Sequence, residues 1–144
     1  GSGSEGFARG KLRQIVAGEG VTLIAYGGVV EEVVKAADLL KRSGINCSVY
    51  SAHTIKPFDQ KTLFKIAKNS DILIAVEEHV KSGGLGSLIA DTLFGSGFSP
   101  RKFDRICLPD SFSSIVGSQE YLRKCHFLDA DSIKNRVQYL HGVR

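Results

Sequence analysis

The stretch best equipped for chemistry is Glu77-Glu78-His79, followed a few residues on by Gly83-Gly84-Leu85-Gly86. Carboxylates and an imidazole at the end of an apolar run suit general acid–base work. A glycine-rich lead into a helix offers free N–H groups to an anion. Glu77 and Glu78 oppose that second use, because they set negative charge beside the helix start, where it would repel a phosphate. The structural reading, in which the carboxylates bond those N–H groups and His79, outweighs the catalytic one. A second candidate is His53-Thr54-Ile55-Lys56-Pro57. Pro57 fixes its own backbone and keeps Lys56 extended, so the stretch reads as a shaped connector. An alternative use for it is a rigid polar rim, carrying His53 and Lys56, against a partner subunit.

Tyr26-Gly27-Gly28 lies where a strand passes into a helix, the position at which open α/β sheets bind ligands. A dinucleotide fingerprint requires G-x-G-x-x-G there, and Val29-Val30-Glu31 supplies no third glycine. A plain tight turn is the better reading. No G-x-S-x-G elbow exists, and the serines from Ser111 to Ser118 read as a solvated loop, with Ser118 placed to cap a helix. His126 and His141 read as surface residues. Cys47, Cys107 and Cys125 are odd in number, far apart and without C-x-x-C spacing. They fit small buried hydrophobes in a reducing compartment better than disulfides or zinc ligands.

The elements that position these residues alternate. Leu12–Val16 is a short strand and Ala17–Gly20 a tight turn. Val21–Tyr26 is a continuous apolar, β-branched run, as a strand buried on both faces requires. Val30, Val33, Val34 and Ala37 then recur at helical spacing, with Glu31, Glu32, Lys35, Asp38 and Lys41 on the rest of the surface and Gly44 at the C-terminal cap. Ile45–Tyr50 is the next strand. Asp59 caps a helix bearing Leu63, Phe64, Ile66 and Ala67. Ile72–Val76 is another buried strand, and Leu85, Leu88, Ile89 and Leu93 form a helical stripe closed by Gly95. Phe103–Leu108 is a weaker strand. Ile133, Val137 and Leu140 lie on a final helix capped by Asp129. Right-handed βαβ crossovers then predict a three-layer α/β/α sandwich: a mostly parallel sheet of about five strands, with Leu12–Val16 antiparallel.

At 144 residues the chain has room for one domain and no more. Its 42% hydrophobic and 24% charged residues place it with soluble globular proteins. The net charge of +4 comes from basic residues interleaved with acidic ones, so neither nucleic acid nor an anionic membrane is an expected partner. No apolar run is long enough to span a bilayer, and no signal peptide opens the chain. Gly1-Ser2-Gly3-Ser4 reads as a scar left by cloning, and there is no methionine. Residues 1–9 are therefore expected to be scar or linker, and 10–144 one domain cut from a longer protein.

Several stretches, in this order, resemble one family. Val21-Thr22-Leu23-Ile24-Ala25-Tyr26-Gly27 is similar to the first buried strand of the transketolase C-terminal domain. His53-Thr54-Ile55-Lys56-Pro57-Phe58-Asp59 resembles the His-Thr-Ile-Lys-Pro-Leu-Asp connector of the shorter, C-terminal-subunit type. Glu77-Glu78-His79 with Gly83-Gly84-Leu85-Gly86 is similar to its Glu-Glu-His … Gly-Gly-Leu-Gly segment. Leu108-Pro109-Asp110-Ser111-Phe112 and Leu128-Asp129-Ala130-Asp131-Ser132-Ile133 resemble its last two landmarks. The likeness runs from about Gly10 to Leu140, and order and spacing together make it specific.

The resemblance implies a parent enzyme that moves two-carbon ketol units between sugar phosphates, as a homodimer in the cytoplasm, with thiamine diphosphate and Mg2+ or Ca2+ held between its first two domains. It implies that this third domain supports assembly and carries no catalytic, cofactor or metal residue of its own. The other domains or subunit of the enzyme are its expected partners. Related versions close the β subunit of 2-oxo acid dehydrogenases and deoxyxylulose-phosphate synthase; the His-Thr-Ile-Lys-Pro connector favours transketolase. The Gly-Asp-Gly … Asn metal–diphosphate motif is absent from the chain. Where the family has a glycine before Leu128, this chain has His126-Phe127, so that helix end is built differently. The surface expected to face a partner or ligand comprises His53, Lys56, Glu77, Glu78, His79, Gly83, Gly84 and Gly86. A free-standing module binding a nucleotide or anion at Gly27-Gly28 and Gly83–Gly86 is the alternative from another class, and a small enzyme using His79 with Glu77 or Glu78 is a third.

Overall fold

From Val21 to Ala25 every side chain is buried, which only a strand with neighbours on both edges and layers on both faces can achieve. The computed structural model describes residues 11–52, 59–77, 84–97, 100–107 and 129–143, and this run is its central strand, β2 (Gly20–Tyr26). Around it lie β1 (Leu12–Val16), α1 (Val30–Arg42), β3 (Cys47–Ala52), α2 (Gln60–Asn69) and β4 (Ser70–Glu77). After these come α3 (Leu85–Ser96), β5 (Lys102–Cys107) and α4 (Ala130–Gly142). The sheet order is β1-β3-β2-β4-β5. β2 runs parallel to β3 and β4, β4 parallel to β5, and β1 antiparallel to β3.

Alternation along the strands divides the core. Val21, Leu23 and Ala25 join Val33, Ala36, Ala37 and Leu40 of α1 and Ile133 and Val137 of α4 on one face. Ile24, Leu73 and Ala75 join Leu63, Ile66 and Ala67 of α2 and Leu85, Ile89 and Leu93 of α3 on the other. This is the expected three-layer sandwich of five strands with one antiparallel.

The antiparallel strand pairs with β3, although β2 follows it directly in the chain. The β1–β2 turn has to cross the start of β3, and it does so in contact. The Glu19 N–H donates to the Asn46 carbonyl at 2.9 Å. A Cβ on Gly18 would lie 2.4 Å from the Cys47 carbonyl carbon, so only glycine passes there.

Element ends differ from the sequence expectations by a residue or two. β3 begins at Cys47 instead of Ile45, because the Ile45 N–H closes α1 on the Leu40 carbonyl at 2.9 Å. Gly44, with φ +90°, fills the left-handed cap expected of it. Gly95 does not close α3; the helix runs to Ser96 and the left-handed residue is Gly97, φ +82°. β5 starts at Lys102, one residue early, and ends at Cys107. At the amino edge of the sheet, Lys102 holds the end of α4 through the Leu140 and Val143 carbonyls. Beside it Arg101 pairs with Asp71 through two 2.8 Å bonds.

Candidate functional site

The carboxyl ends of β2 and β4 meet in register, Tyr26 opposite Glu77, and the candidate residues that the structure describes gather there. Glu77 is the last residue of β4 and only 3% exposed. Eight residues on, the chain returns as α3, whose first-turn N–H groups lack intrahelical partners. The Glu77 carboxylate accepts two of them: Leu85 N–H on Oε1 at 2.9 Å and Gly86 N–H on Oε2 at 2.7 Å. Gly84 is the extended cap residue before the helix, and its carbonyl accepts the Leu88 N–H at 3.0 Å. A negative charge at this position is also favoured by the helix dipole.

Arg105 of β5 lies over Gly86. The Arg105 side chain of β5 crosses it so closely that a Cβ would sit 2.2 Å from Arg105 Nε. That atom is the far end of a flexible side chain, so the approach shapes Arg105 more than it constrains the helix.

Glu77, Gly84 and Gly86 are thus brought together, as a carboxylate clasp on a helix start. Of the other expected site residues, His53, Lys56, Glu78, His79 and Gly83 lie outside the described residues. So do His126, Ser118 and the whole 108–128 stretch. His141 is exposed, as expected of a surface residue. Cys47 is a buried free thiol, and burial pushes it up to about 12, which leaves it a protonated hydrophobe.

The turn at Gly27 is left-handed, φ +87°, and α1 starts at Val30 with no side-chain cap and with Glu31 and Glu32 in its first turn. Those two carboxylates make the α1 start hostile to a phosphate, in line with the tight-turn reading. With Glu77 filling the α3 start, neither glycine-rich turn offers a diphosphate the N–H groups it needs. Among the described residues no three His, Cys, Asp or Glu side chains converge where they could hold a metal ion. The described part of the chain therefore does not fit thiamine diphosphate and its metal, and no chemical step is assigned through them.

Two further clasps were not foreseen in full. Asp59 caps α2 by accepting the Thr62 N–H at 3.1 Å, as the sequence predicts, and its other oxygen accepts the Leu12 N–H of β1 at 3.0 Å. Burial alone would raise the Asp59 carboxyl, but the Thr62 hydroxyl and the Leu12 and Thr62 N–H groups outweigh it and hold it below the usual carboxylate range. At α4, Asp129 accepts the Ser132 N–H at 3.2 Å, while Glu32 of α1 reaches across to the Ala130 N–H at 3.0 Å. Nothing local marks Glu32 for this; its partner is 98 positions away.

Comparison with known proteins agrees with this architecture. The profile described as "Transketolase, C-terminal domain" matches residues 10–133. The chain is 35% identical over 127 residues to one of the subunits of the apulose-4-phosphate transketolase of Actinobacillus succinogenes, covering 88% of this chain and 40% of that protein. It is 36% identical over 131 residues to the "Putative transketolase C-terminal section" of Methanocaldococcus jannaschii, covering 91% and 40%. Among solved structures, "Split gene transketolase, inactive beta4 tetramer" superposes with TM-score 0.81 at 26% identity, over 92% of this chain and 43% of that one. The chain thus spans about 40% of the length of these curated relatives.

Proposed function

This chain belongs to the transketolase C-terminal domain family, and from that premise we propose that it is the non-catalytic, assembly-supporting domain of a transketolase-type enzyme. That enzyme transfers two-carbon ketol units between sugar phosphates, with thiamine diphosphate and Mg2+ or Ca2+ bound by its other domains or subunit. It works as a homodimer in the cytoplasm. The surface turned to those partners is the carboxyl edge of the sheet, with the 53–58 connector and the 77–86 segment, in which we place His53, Lys56, Glu78, His79 and Gly83.

The observation that carries the reading is the Glu77 clasp. A buried carboxylate with both oxygens engaged by backbone N–H groups holds a helix start in place. Each of its oxygens already accepts a backbone N–H, and it closes the α3 start to an anion. The match to relatives described as a subunit or a section of an enzyme supports a role beside other chain segments.

Titration calorimetry of the chain with thiamine diphosphate and magnesium tests the reading. No heat of binding is expected. Saturable binding near micromolar affinity would overturn it and would place a cofactor site within these 144 residues.

A further inference from the structure

At the amino ends of the strands, on the α2 face, the sheet leaves a cleft of about 180 Å³. It lies at the far end of β2 from Glu77, a seven-residue strand or roughly 20 Å away. Its floor is polar where the next part of that face is apolar: Thr22 of β2 and Ser48 of β3 lie opposite each other at the amino ends of their strands, ahead of Ile24 and Tyr50. Both are buried, Thr22 at 5% and Ser48 at 6% exposure.

The proton directions on this floor can be worked out. Ser70 Oγ donates to the Ile66 carbonyl at 2.6 Å. Its one proton is then engaged, so the 2.7 Å contact with Thr22 Oγ1 has Thr22 as donor. Both oxygens are left with lone pairs and no proton to offer. The Ser48 hydroxyl, more than nine-tenths buried, makes no hydrogen bond with any described group, so its proton and lone pairs are unmatched. A buried hydroxyl without a partner is unfavourable, and such groups ordinarily meet water or a ligand. The phenol of Tyr50 lines the cleft as well, and Glu19 and Lys65 stand at its rim with opposite charges.

We infer that this cleft is a binding site for a small, neutral, polyhydroxylated molecule. Its hydroxyl protons would meet the lone pairs of Thr22 and Ser70, and its oxygens would take the Ser48 proton. A phosphate or carboxylate brings fewer hydroxyl protons to those lone pairs than a polyol does, and its negative charge would meet Glu19. An apolar molecule would leave the Ser48 hydroxyl and the spare lone pairs of Thr22 and Ser70 unmatched. The volume corresponds to roughly six waters, which suits a ligand of about six to eight non-hydrogen atoms. The site does not depend on the enzymatic reading above.

The test is a 15N–1H NMR titration of the whole chain with erythritol as the probe, and with inorganic phosphate and glycine in separate arms. Saturable shifts at the Thr22, Ser48, Tyr50 and Lys65 amides are expected, with half-saturation on the order of 1–10 mM for so small a ligand. Ser48→Ala removes an unmatched hydroxyl and so leaves the fold intact, yet it should weaken binding by about fivefold or more, since the ligand loses a buried hydrogen bond. Lys65→Ala, on the exposed rim, should weaken it by about threefold, the scale of an exposed polar contact. Shifts that stay linear to about 100 mM, beyond any affinity a specific site of this size would show, would mean that only water occupies the cleft and would overturn the inference. Equal affinity in Ser48→Ala would do the same, and saturation by phosphate or glycine in place of erythritol would refute the ligand class.

Discussion

Replacing Glu77 by glutamine isolates the clasp from everything else at the carboxyl edge, because shape and volume are almost unchanged. The carboxylate accepts two N–H groups, at 2.9 and 2.7 Å, from a site that is 3% exposed. Glutamine keeps one acceptor oxygen and turns an NH2 group towards the second N–H. One buried donor then has no acceptor, which costs about 1–3 kcal/mol. The charge that complemented the α3 dipole is also lost, worth up to about 2 kcal/mol in a partly buried setting. Together a loss of about 1–5 kcal/mol is expected, a large part of the stability of a domain this size. Urea unfolding followed by circular dichroism should show a lower midpoint with an unchanged slope. A change below about 0.5 kcal/mol, the range of ordinary surface substitutions, would refute the reasoning. It would mean that Glu77 does not hold α3, and the carboxylate would become a candidate for chemistry after all.

Asp59 gives a pH signature. Its folded value lies below the unfolded one, so its contribution is present above about pH 4 and is lost as pH falls through the folded value. Asp59→Asn should therefore flatten the acid limb of a stability–pH curve and, with the Leu12 bond lost, lower stability at neutral pH by about 1–2 kcal/mol; an unchanged acid limb would contradict this. Gly18→Ala drives a Cβ to 2.4 Å from backbone that cannot step aside, so a loss of about 3 kcal/mol or more in thermal unfolding is expected. Cys47, raised to about 12, should resist iodoacetamide in the folded chain and react only on unfolding, as peptide mapping by mass spectrometry would show.

The fold was legible because its signals are periodic. The unbroken Val21–Tyr26 run, the stripes of α1 and α2 and the caps at Asp59 and Asp129 each follow from neighbours in sequence, and each is where it was expected. What escaped the sequence is what distant segments do to one another. Gly18 looks like any turn glycine until the start of β3 is laid against it. Glu32 looks like a solvated helix residue until α4 arrives 98 positions later and presents the Ala130 N–H. Gly95 attracted the helix stop by type alone, whereas the left-handed backbone falls at Gly97. At the site, the competition between an anion cradle and a self-satisfied helix start was visible in Glu77 and the glycines, but the placing of the Leu85 and Gly86 N–H groups on the carboxylate decides it. No pattern in the residues reports whether the start of α3 comes within 3 Å of a carboxylate eight positions earlier.

The three clasps have one consequence when taken together. In an open α/β sheet, the helix starts at the carboxyl edge are the natural place for phosphates. Here α2 is closed by Asp59, α3 by Glu77 and α4 by Asp129 with Glu32, while α1 carries Glu31 and Glu32 in its first turn. A free phosphate would have to displace a carboxylate tethered to the same chain. Tethering gives that carboxylate an effective concentration in the millimolar range or above, and the displaced charge would remain nearby and repel the newcomer. The edge at which related architectures bind phosphates is thus occupied internally, by the bonds that fix the order and tilt of the helices. A domain arranged in this way gives up anion binding at its helix starts in exchange for helix starts held by its own carboxylates. Helix starts held in this way suit the surface proposed above against other parts of an enzyme, and the amino-end cleft with its buried Thr22 and Ser48 remains a separate site.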